Sequence, residues 1–551
     1  MRRIVLSGAI FASFLVVNGS LTVHRWLTGE GWWFALVPAA ETIVILLLAV
    51  VAAALSGRRK LAVVIGAAVT YGTLSVYALA ESLFQFIYAR PFVPAADIPM
   101  VRGALLLLFG QIGDRATVLM PVTIGLILGV FWLAAALIIW FTARLVARAN
   151  PPRGTVGAIV AVSLMLLAVV PYPTVLSATV ASGLAAGGSV VFEDVVHAAT
   201  VNEVPEVEET PYAFPGIMDR DIFVFVIEAY GYAAFSRPEL FAQLEPDIRR
   251  FEEVLTRAGY GLVSNYLLSP VAGGFSWLAE ATFLTGQWIN SQPVFEQLYA
   301  APVSTIPSFL VDGGYYTFTV KPGTVHGSWP EGWDLFRFKE SMIAYDGDFN
   351  YRGPWFSFVP ITDQFAIHAA HRRLGELRGP RGAAEHRPVF AYYQLVSSHT
   401  PFNRIPPYIE DWDLLGDGSI YHELSDQILT FDNTWTGGTQ LEEGYVASIS
   451  YVFTVISEYI DRFLDHSRNP IIIVFGDHQA QRPIREQTAH LSVPFHVASR
   501  DPEILARFAG HGFTPGIRGE QPPPHPRMSE FFPMFVDVAR DVVSTVDHSA
   551  E

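Results

Sequence analysis

Residues 470–478 read PIIIVFGDH, an apolar run that ends abruptly in an acid and a histidine. Residues 222–228 read IFVFVIE and repeat the pattern, with a glutamate directly after the last apolar residue. Two further runs, 315–320 and 389–396, have the same character, and helical patterns lie between them. Continuous apolar runs of this kind are typical of strands buried on both faces. The second half of the chain is therefore predicted to be an α/β fold around a mostly parallel sheet.

Polar side chains follow each of these four predicted strands. In open α/β sheets, ligands bind beyond the carboxyl ends of the strands. The groups delivered to that edge are Glu228 after the first strand, His326 in the loop after the second, His399 after the third, and Asp477 and His478 after the fourth. Carboxylate and imidazole ligands without thiolates suit a hard or borderline divalent cation. The sequence therefore predicts a metal site at this edge.

A candidate nucleophile precedes a predicted helix at residues 277–284. Residues 273–276 read GGFS, so two glycines allow close backbone approach and Ser276 falls at the first turn. A helix N-terminus attracts anions, and a metal can lower the pKa of a serine hydroxyl. Serine is also a favoured N-cap without any chemistry. This segment alone leaves both interpretations of Ser276 open.

Composition excludes several functional classes. The 551 residues include 52 acids against 36 lysines and arginines, for a formal net charge of −16. That balance argues against nucleic acid as a partner. Cysteine is absent, which excludes disulfides, thiol nucleophiles and Cys-ligated metals. The chain is 51% hydrophobic and only 16% charged, as expected where a membrane portion accompanies a soluble one.

The first third of the sequence is predicted to be an α-helical membrane domain. Five apolar segments are long enough to span a bilayer, which takes roughly 20 residues each: 4–23, 34–55, 61–83, 119–141 and 156–173. Basic residues fall on alternate loops, which places the N-terminus in the cytoplasm and everything after about residue 180 outside. We therefore expect a transmembrane domain at 1–184, an acidic linker at 185–219 and an extracytoplasmic domain at 220–551.

Four motifs of the outer half resemble a known family. They are FVIEAYG at 225–231, GFS at 274–276, LVSSHTPF at 395–402 and FGDH at 475–478. In this order they resemble the sulfatase-like domains of the alkaline phosphatase superfamily, and most of all lipoteichoic acid synthase and related phosphoglycerol transferases. Those enzymes also have about five N-terminal spans, so the resemblance covers essentially the whole chain.

The resemblance implies a role for each matched residue. Glu228, Ser276, Asp477 and His478 would hold a divalent metal, with Mn²⁺ the first expectation and Mg²⁺ or Zn²⁺ the alternatives. Ser276 would be the nucleophile, and His399 would lie near the transferred phosphate. His326 and Trp333 match a head-group-binding pattern whose arginine is Leu335 here, which leaves Arg337 as the nearest candidate.

The implied activity is transfer of a phosphoglycerol head group from phosphatidylglycerol, through a phosphoserine intermediate, to a hydroxyl on a glycan, a polymer or a lipid. The expected location is a bacterial cytoplasmic membrane, with membrane lipids as neighbours; the scarcity of lysine, at three residues, is typical of GC-rich bacterial genomes. Phosphoethanolamine transfer and phosphodiester hydrolysis remain alternatives, although relatives that transfer phosphoethanolamine usually carry disulfides. A non-catalytic alternative is a membrane-anchored scaffold for glycan assembly with an inactive domain.

Overall fold

The computed structural model divides the chain into two compact units, Met1–His197 and Ala198–Glu551. The described residues are 11–18, 21, 40–88, 92, 97, 116–149, 214, 216–217, 220–299, 303–324, 335–344, 347–356, 359–379, 387–434, 437–485, 491–519 and 524–540. The linker predicted at 185–219 falls almost entirely outside these residues and stays a prediction.

Three long helices make up most of the described part of the first unit: α1 (Ala40–Ala54), α2 (Gly57–Tyr88) and α3 (Ala116–Ala149). They pack on one another through small and branched apolar side chains such as Ala49, Ala67 and Ile139. Among the described residues, the segments Gly57–Phe84 and Gly129–Arg148 are long and apolar enough to cross a membrane. The predicted span at 156–173 lies outside the described residues, so the number of five spans stays a prediction.

The second unit contains twelve strands among its described residues. They are β1 (Ile222–Ile227), β2 (Gly261–Leu268), β3 (Tyr316–Lys321), β4 (Glu340–Ile343), β5 (Val389–Leu395), β6 (Arg404–Ile405), β7 (Leu429–Thr430), β8 (Asn433–Thr434), β9 (Gly437–Gly438), β10 (Ile471–Gly476), β11 (Ser492–Ser499) and β12 (Thr514–Pro515). Eight of them form one sheet in the order β12-β2-β11-β10-β1-β5-β3-β4. The strands from β10 to β4 are parallel, whereas β11 runs antiparallel to both β10 and β2. The sheet is thus mixed, and β2 runs in the same direction as β1.

The helices of this unit flank the sheet. They are α4 (Ala233–Ser236), α5 (Pro238–Arg257), α6 (Ser276–Thr285), α7 (Gln292–Gln297), α8 (Ile306–Asp312), α9 (Asp363–Leu377), α10 (Ile420–Glu423), α11 (Leu441–Arg462), α12 (Pro502–Gly510) and α13 (Phe531–Ala539).

Two apolar cores lie on opposite faces of the sheet. Strand β1 shows why, because Phe223 and Phe225 belong to one core and Val224 and Val226 to the other, and all four are buried. Successive side chains of a strand point to opposite faces, so a strand that is apolar throughout must be covered twice. Helices α5, α9 and α11 cover the first face, and α6, α8, α12 and α13 cover the second. The predicted α/β domain is therefore confirmed.

Candidate active site

The central strands of the sheet end level with one another. Ile227, the last residue of β1, pairs with Gly476 at the end of β10 and with Leu395 at the end of β5. The backbone N–H of Glu228 donates to the carbonyl of Leu395 at 3.0 Å. The residues that follow these three strands therefore emerge side by side, which is the juxtaposition that the sequence pattern predicts.

Three of those residues form a buried cluster. Glu228, Asp477 and His478 each offer a ligand atom, and these atoms lie within 4.8 Å of one another. The Nε2 atom of His478 is 3.1 Å from Glu228 Oε1 and 3.5 Å from Asp477 Oδ2. All three side chains are almost completely shielded from solvent.

Ser276 completes the cluster from the second face of the sheet. Its Oγ lies 3.1 Å and 2.9 Å from the two carboxylate oxygens of Glu228, and 3.3 Å from His478 Nε2. Ser276 is the first residue of α6, while the preceding Phe275 occupies the N-cap position in the left-handed conformation with φ 65°. The hydroxyl thus faces the cluster, and Ser276 is not the N-cap of α6; its role as nucleophile stays a prediction.

The loop before Ser276 is tied to the segment after His478. The backbone N–H of Gly273 donates to the carbonyl of Gln479 at 2.8 Å, and the hydroxyl of Ser269 donates to the carbonyl of Asp477 at 2.7 Å. Gly273 has a φ of 68°, which is accessible to glycine without strain. These bonds fix the start of α6 against the end of β10.

The protonation of the cluster follows from its geometry. His478 Nδ1 lies 2.9 Å from the carbonyl oxygen of Gln479, which can only accept, so Nδ1 carries a proton. In the neutral ring, the lone pair of Nε2 then points at two carboxylates. Burial would lower the pKa of His478, but the charges of Asp477 and Glu228 raise it to about 9. Without another cation the site therefore takes up a proton.

The two carboxyl groups differ in the same surroundings. Burial and the charge of Glu228 raise the pKa of Asp477 well above its ordinary value. Burial would also raise the pKa of Glu228, but the positive charges of His399 and His478 lower it to about 2. The two carboxylates and the lone pair of His478 Nε2 converge on one point, and a cation bound there would stabilise this arrangement.

These residues fit a divalent metal. Asp477 Oδ1 accepts the backbone N–H groups of Ala229 at 2.9 Å and His478 at 2.6 Å, which orients Oδ2 toward the cluster. The carbonyl of Gln479 orients the imidazole in the way that metal-binding histidines commonly require. Two carboxylates, an imidazole and a hydroxyl suit Mn²⁺, Mg²⁺ or Zn²⁺. Glu228, Asp477, His478 and Ser276 would hold it.

His399 lies in the turn after β5, beside the cluster. The Ser398 hydroxyl donates to the carbonyl of Glu228 at 2.6 Å, which fastens this turn to the end of β1. The carboxylate of Asp363, at the start of α9, accepts from the backbone N–H groups of Val396 at 2.8 Å and Ser397 at 3.1 Å. His399 Nδ1 is 2.6 Å from the carbonyl of Thr400, which orients the ring.

The structure does not bring Arg337 to the cluster. Its carbonyl accepts from the Thr317 hydroxyl at 3.4 Å, near the amino end of β3, and its guanidinium lies 3.9 Å from Asp312. Because β3 is parallel to β5, this is the edge of the sheet opposite to the cluster. His326 and Trp333 lie outside the described residues, so their predicted role in substrate binding stays a prediction.

The sequence analysis missed two charged residues of the site region. Lys321 is the last residue of β3, at the same edge as Glu228, and Glu280 lies one helical turn after Ser276 in α6. Both are buried and form an ion pair with each other. The position of Lys321 could have been noticed in the sequence, because it directly follows a predicted strand, as Glu228 does.

No known family profile matches the chain, and no curated protein is similar to it in sequence. Among the solved structures that it resembles is a protein in the alkaline phosphatase superfamily from Vibrio parahaemolyticus (14% identity, 54% of this chain, 66% of that chain, TM-score 0.33). Lipoteichoic acid synthase LtaP from Listeria monocytogenes gives 17% identity, 54% and 71% coverage and a TM-score of 0.36.

The phosphoglycerol transferase GacH from Streptococcus pyogenes, solved with sn-glycerol-1-phosphate, gives 12% identity over 64% of this chain and 81% of that chain, with a TM-score of 0.36. At such identities and TM-scores, the chemistry of the cluster and not the likeness indicates what the site can do.

Proposed function

We propose that this chain is a metal-dependent phosphoryl-group transferase that moves a phosphoglycerol head group from phosphatidylglycerol to a hydroxyl acceptor. The acceptor would be a glycan, a polymer end or another lipid. The observation that carries the proposal is the contact of the Ser276 hydroxyl with both Glu228 oxygens and with His478 Nε2. A serine that is joined to a cation-binding cluster at a helix N-terminus is arranged for nucleophilic attack on an anionic phosphodiester.

The reaction would proceed in two displacements. A cation held by Glu228, Asp477 and His478 would supply positive charge that lowers the pKa of the Ser276 hydroxyl and offsets charge on the phosphoryl oxygens. Ser276, having released its proton to solvent, attacks the phosphorus of the lipid head group as its alkoxide, and the bond from phosphorus to the diacylglycerol oxygen breaks. His399 donates a proton to that leaving oxygen, a role suited to imidazole. The product on the enzyme is a phosphodiester that joins Ser276 to glycerol.

The second displacement regenerates the serine. The acceptor hydroxyl attacks the phosphorus, His399 takes up its proton, and the bond to Ser276 Oγ breaks. Water in place of the acceptor would give hydrolysis and release glycerol phosphate. The burial of Glu228, Asp477 and His478 keeps bulk solvent away from the charged groups, which strengthens their interaction with the phosphate.

The lipid donor is consistent with the helices of the first unit. Residues such as Val69 on α2 and Leu133 on α3 are 51% and 60% exposed, although both helices are strongly apolar. Helices that expose apolar side chains around much of their circumference are suited to lipid. We infer a multi-pass protein of a bacterial cytoplasmic membrane, with its N-terminus in the cytoplasm and the α/β domain on the outer side.

Release of labelled diacylglycerol tests the proposal. The purified full chain is given Mn²⁺ and either phosphatidylglycerol or phosphatidylethanolamine with a fluorescent acyl chain. We expect release from phosphatidylglycerol by the wild type and by Ser419→Ala, an exposed-serine control, but not by Ser276→Ala. Release from phosphatidylethanolamine alone would mean that this lipid, and not phosphatidylglycerol, is the donor. Release by Ser276→Ala equal to that of the wild type would contradict the role of Ser276.

A further inference from the structure

A second buried cluster lies between the helix that carries Ser276 and the sheet. Glu280, four residues further along α6, is buried, and its carboxylate accepts three hydrogen bonds. The donors are the ammonium of Lys321, the hydroxyl of Tyr392 at 3.0 Å and the amide of Gln394 at 2.7 Å. The Lys321 ammonium also lies 5.1 Å from the centroid of the Tyr392 ring.

The donors belong to strands that lead to the candidate active site. Tyr392 and Gln394 lie on β5, which leads into the turn that carries His399. Strand β5 pairs with β1, and Glu228 directly follows β1. Lys321 ends β3, the neighbour of β5 on the other side. The Glu280 carboxylate thus connects the helix of Ser276 to the same sheet edge that holds Glu228.

The bonds of Gly273 and Ser269 hold the loop before α6, but the apolar surface of the helix itself cannot set its position as narrowly as the bonds of Glu280. The other buried residues of α6 include Leu278, Phe283 and Leu284, which belong to the second core. Apolar burial is non-directional, so it tolerates small shifts and rotations of a helix. Hydrogen bonds lose strength steeply with angle and distance, so three of them on one carboxylate fix a helix in translation and rotation.

Stability alone does not account for a charged pair at this place. The Glu280 and Lys321 side chains are 1% and 3% exposed, and removing two ions from water costs several kcal/mol apiece. Burial lowers the pKa of Lys321, and the charge of Glu280 opposes that effect. Replacing such a pair by uncharged side chains of similar shape is often neutral for stability.

We propose that the Glu280–Lys321 pair is the positioning element of the nucleophile helix, which holds Ser276 Oγ on the Glu228–Asp477–His478 cluster. The proposal rests on the proposed function in taking Ser276 as nucleophile and fourth ligand. Glu280 and Lys321 are positioning residues, because in this account they act on the reaction only through Ser276. A displacement of a reacting group by about 1 Å can cost about 100-fold in rate.

The test uses a charge-balanced double variant, Glu280→Gln with Lys321→Met, in the full chain. Together the two substitutions leave no unpaired buried charge, so we expect a cooperative melting transition close to that of the wild type. The matched control is Glu340→Gln with Arg373→Met. The Glu340 carboxylate, like that of Glu280, accepts a hydrogen bond from a cation, Arg373 at 2.6 Å, and one from a tyrosine hydroxyl, Tyr316 at 2.9 Å. None of these hydrogen bonds involves a residue of α6.

Mn²⁺ affinity provides a readout that does not depend on any substrate. It is measured by calorimetric titration in the wild type, in Ser276→Ala, in the double variant and in the triple variant that combines them. We expect the double variant to lose as much affinity as Ser276→Ala, on the order of 10-fold. In the triple variant we expect no further loss, because effects that pass through one residue are non-additive. The control pair should leave the affinity unchanged.

Turnover of phosphatidylglycerol gives the second readout. We expect kcat of the double variant to fall about 10- to 100-fold with KM unchanged, because only the attack geometry of Ser276 is altered. Wild-type affinity and kcat in the folded double variant would overturn the proposal, and so would additive losses in the triple variant. If the double variant does not melt cooperatively, Tyr392→Phe with Gln394→Met enters the same cycle with the same criteria, because it removes two of the three hydrogen bonds to Glu280 and keeps the ion pair. Absence of turnover in the wild type would reject the proposed function, while the Mn²⁺ cycle would still decide the positioning role.

Discussion

The hydroxyl of Ser276 lies 2.9 Å from one carboxylate oxygen of Glu228 and 3.1 Å from the other. The two residues are 48 positions apart and belong to a helix on one face of the sheet and to the end of its central strand β1. A serine bonded to both oxygens of a buried carboxylate shares that carboxylate with any cation bound beside it. The hydroxyl that we propose as the nucleophile and the predicted metal thus share one site.

Asp477→Asn should remove metal binding without unfolding the domain. Asparagine can keep its Oδ1 on the backbone N–H groups of Ala229 and His478, but it places an amide NH₂ where Asp477 Oδ2 faces the cluster. We expect Mn²⁺ affinity to fall at least about 100-fold, measured by titration calorimetry. Asp461→Asn, at an exposed ion pair with Arg257, is the control.

Thermal unfolding gives an independent check of the same prediction. In the wild type, Mn²⁺ at about 100 times its Kd should stabilise the fold by about 2.7 kcal/mol, and a chelator should reverse this. Asp477→Asn should show neither effect. A variant that still gains stability from Mn²⁺ and turns over would exclude Asp477 as a ligand.

His399→Ala should show a loss that depends on the leaving group. Because His399 is proposed to protonate the diacylglycerol oxygen, we expect the first-turnover rate of diacylglycerol release to fall about 10²- to 10⁴-fold. A glycerol phosphodiester of p-nitrophenol needs no such proton, so its first-turnover release of p-nitrophenol should slow less than about 10-fold. Pre-steady-state rates with both substrates decide the matter, because the second displacement uses His399 in either case. Equal losses in these first-turnover rates would show that His399 does not act as the general acid.

His496 should make the domain less stable in mild acid. Burial lowers the pKa of this histidine to about 3, from an ordinary value of 6.5, between the hydroxyls of Ser264 and Tyr230. Between these values the unfolded chain binds a proton that the folded chain does not. The free energy of unfolding therefore falls as the pH is lowered below 6.5, by about 1.4 kcal/mol per pH unit.

Urea unfolding of the full chain in detergent, from about pH 7 to about pH 5, measures this slope. We expect His496→Gln to have a shallower pH dependence than the wild type, whatever its absolute stability. His422→Gln, at an exposed histidine, should keep the wild-type slope. Identical slopes for the wild type and His496→Gln would mean that the buried ring is protonated in the folded state.

Much of the sheet could be predicted because its central strands are apolar throughout. The bounds of β1 agree with the predicted run at 222–227, and Glu228 emerges where the pattern places it. The antiparallel direction of β11 was not predicted, since it depends on how the chain returns from β10 and not on the composition of the strand.

The Glu280–Lys321 pair could not be predicted from local patterns. A glutamate in an apolar helix and a lysine after a strand, 41 residues apart, become partners only when α6 packs on the sheet. Arg337 shows the converse, because its closeness in sequence to the motif around His326 gave no information about the edge of the sheet at which it lies. Strand-end residues are positioned by sheet geometry, whereas residues in loops and helices depend on packing that the sequence does not specify locally.

The covalent state of Ser276 during turnover tests the central claim most directly. The full chain is mixed with Mn²⁺ and phosphatidylglycerol, quenched in acid within the first turnovers, digested and examined by mass spectrometry. We expect a glycerophosphoryl group on the peptide that contains Ser276 and on no other, and none in Asp477→Asn. Turnover without modification of Ser276, or with the group on another residue, would contradict the proposed covalent mechanism.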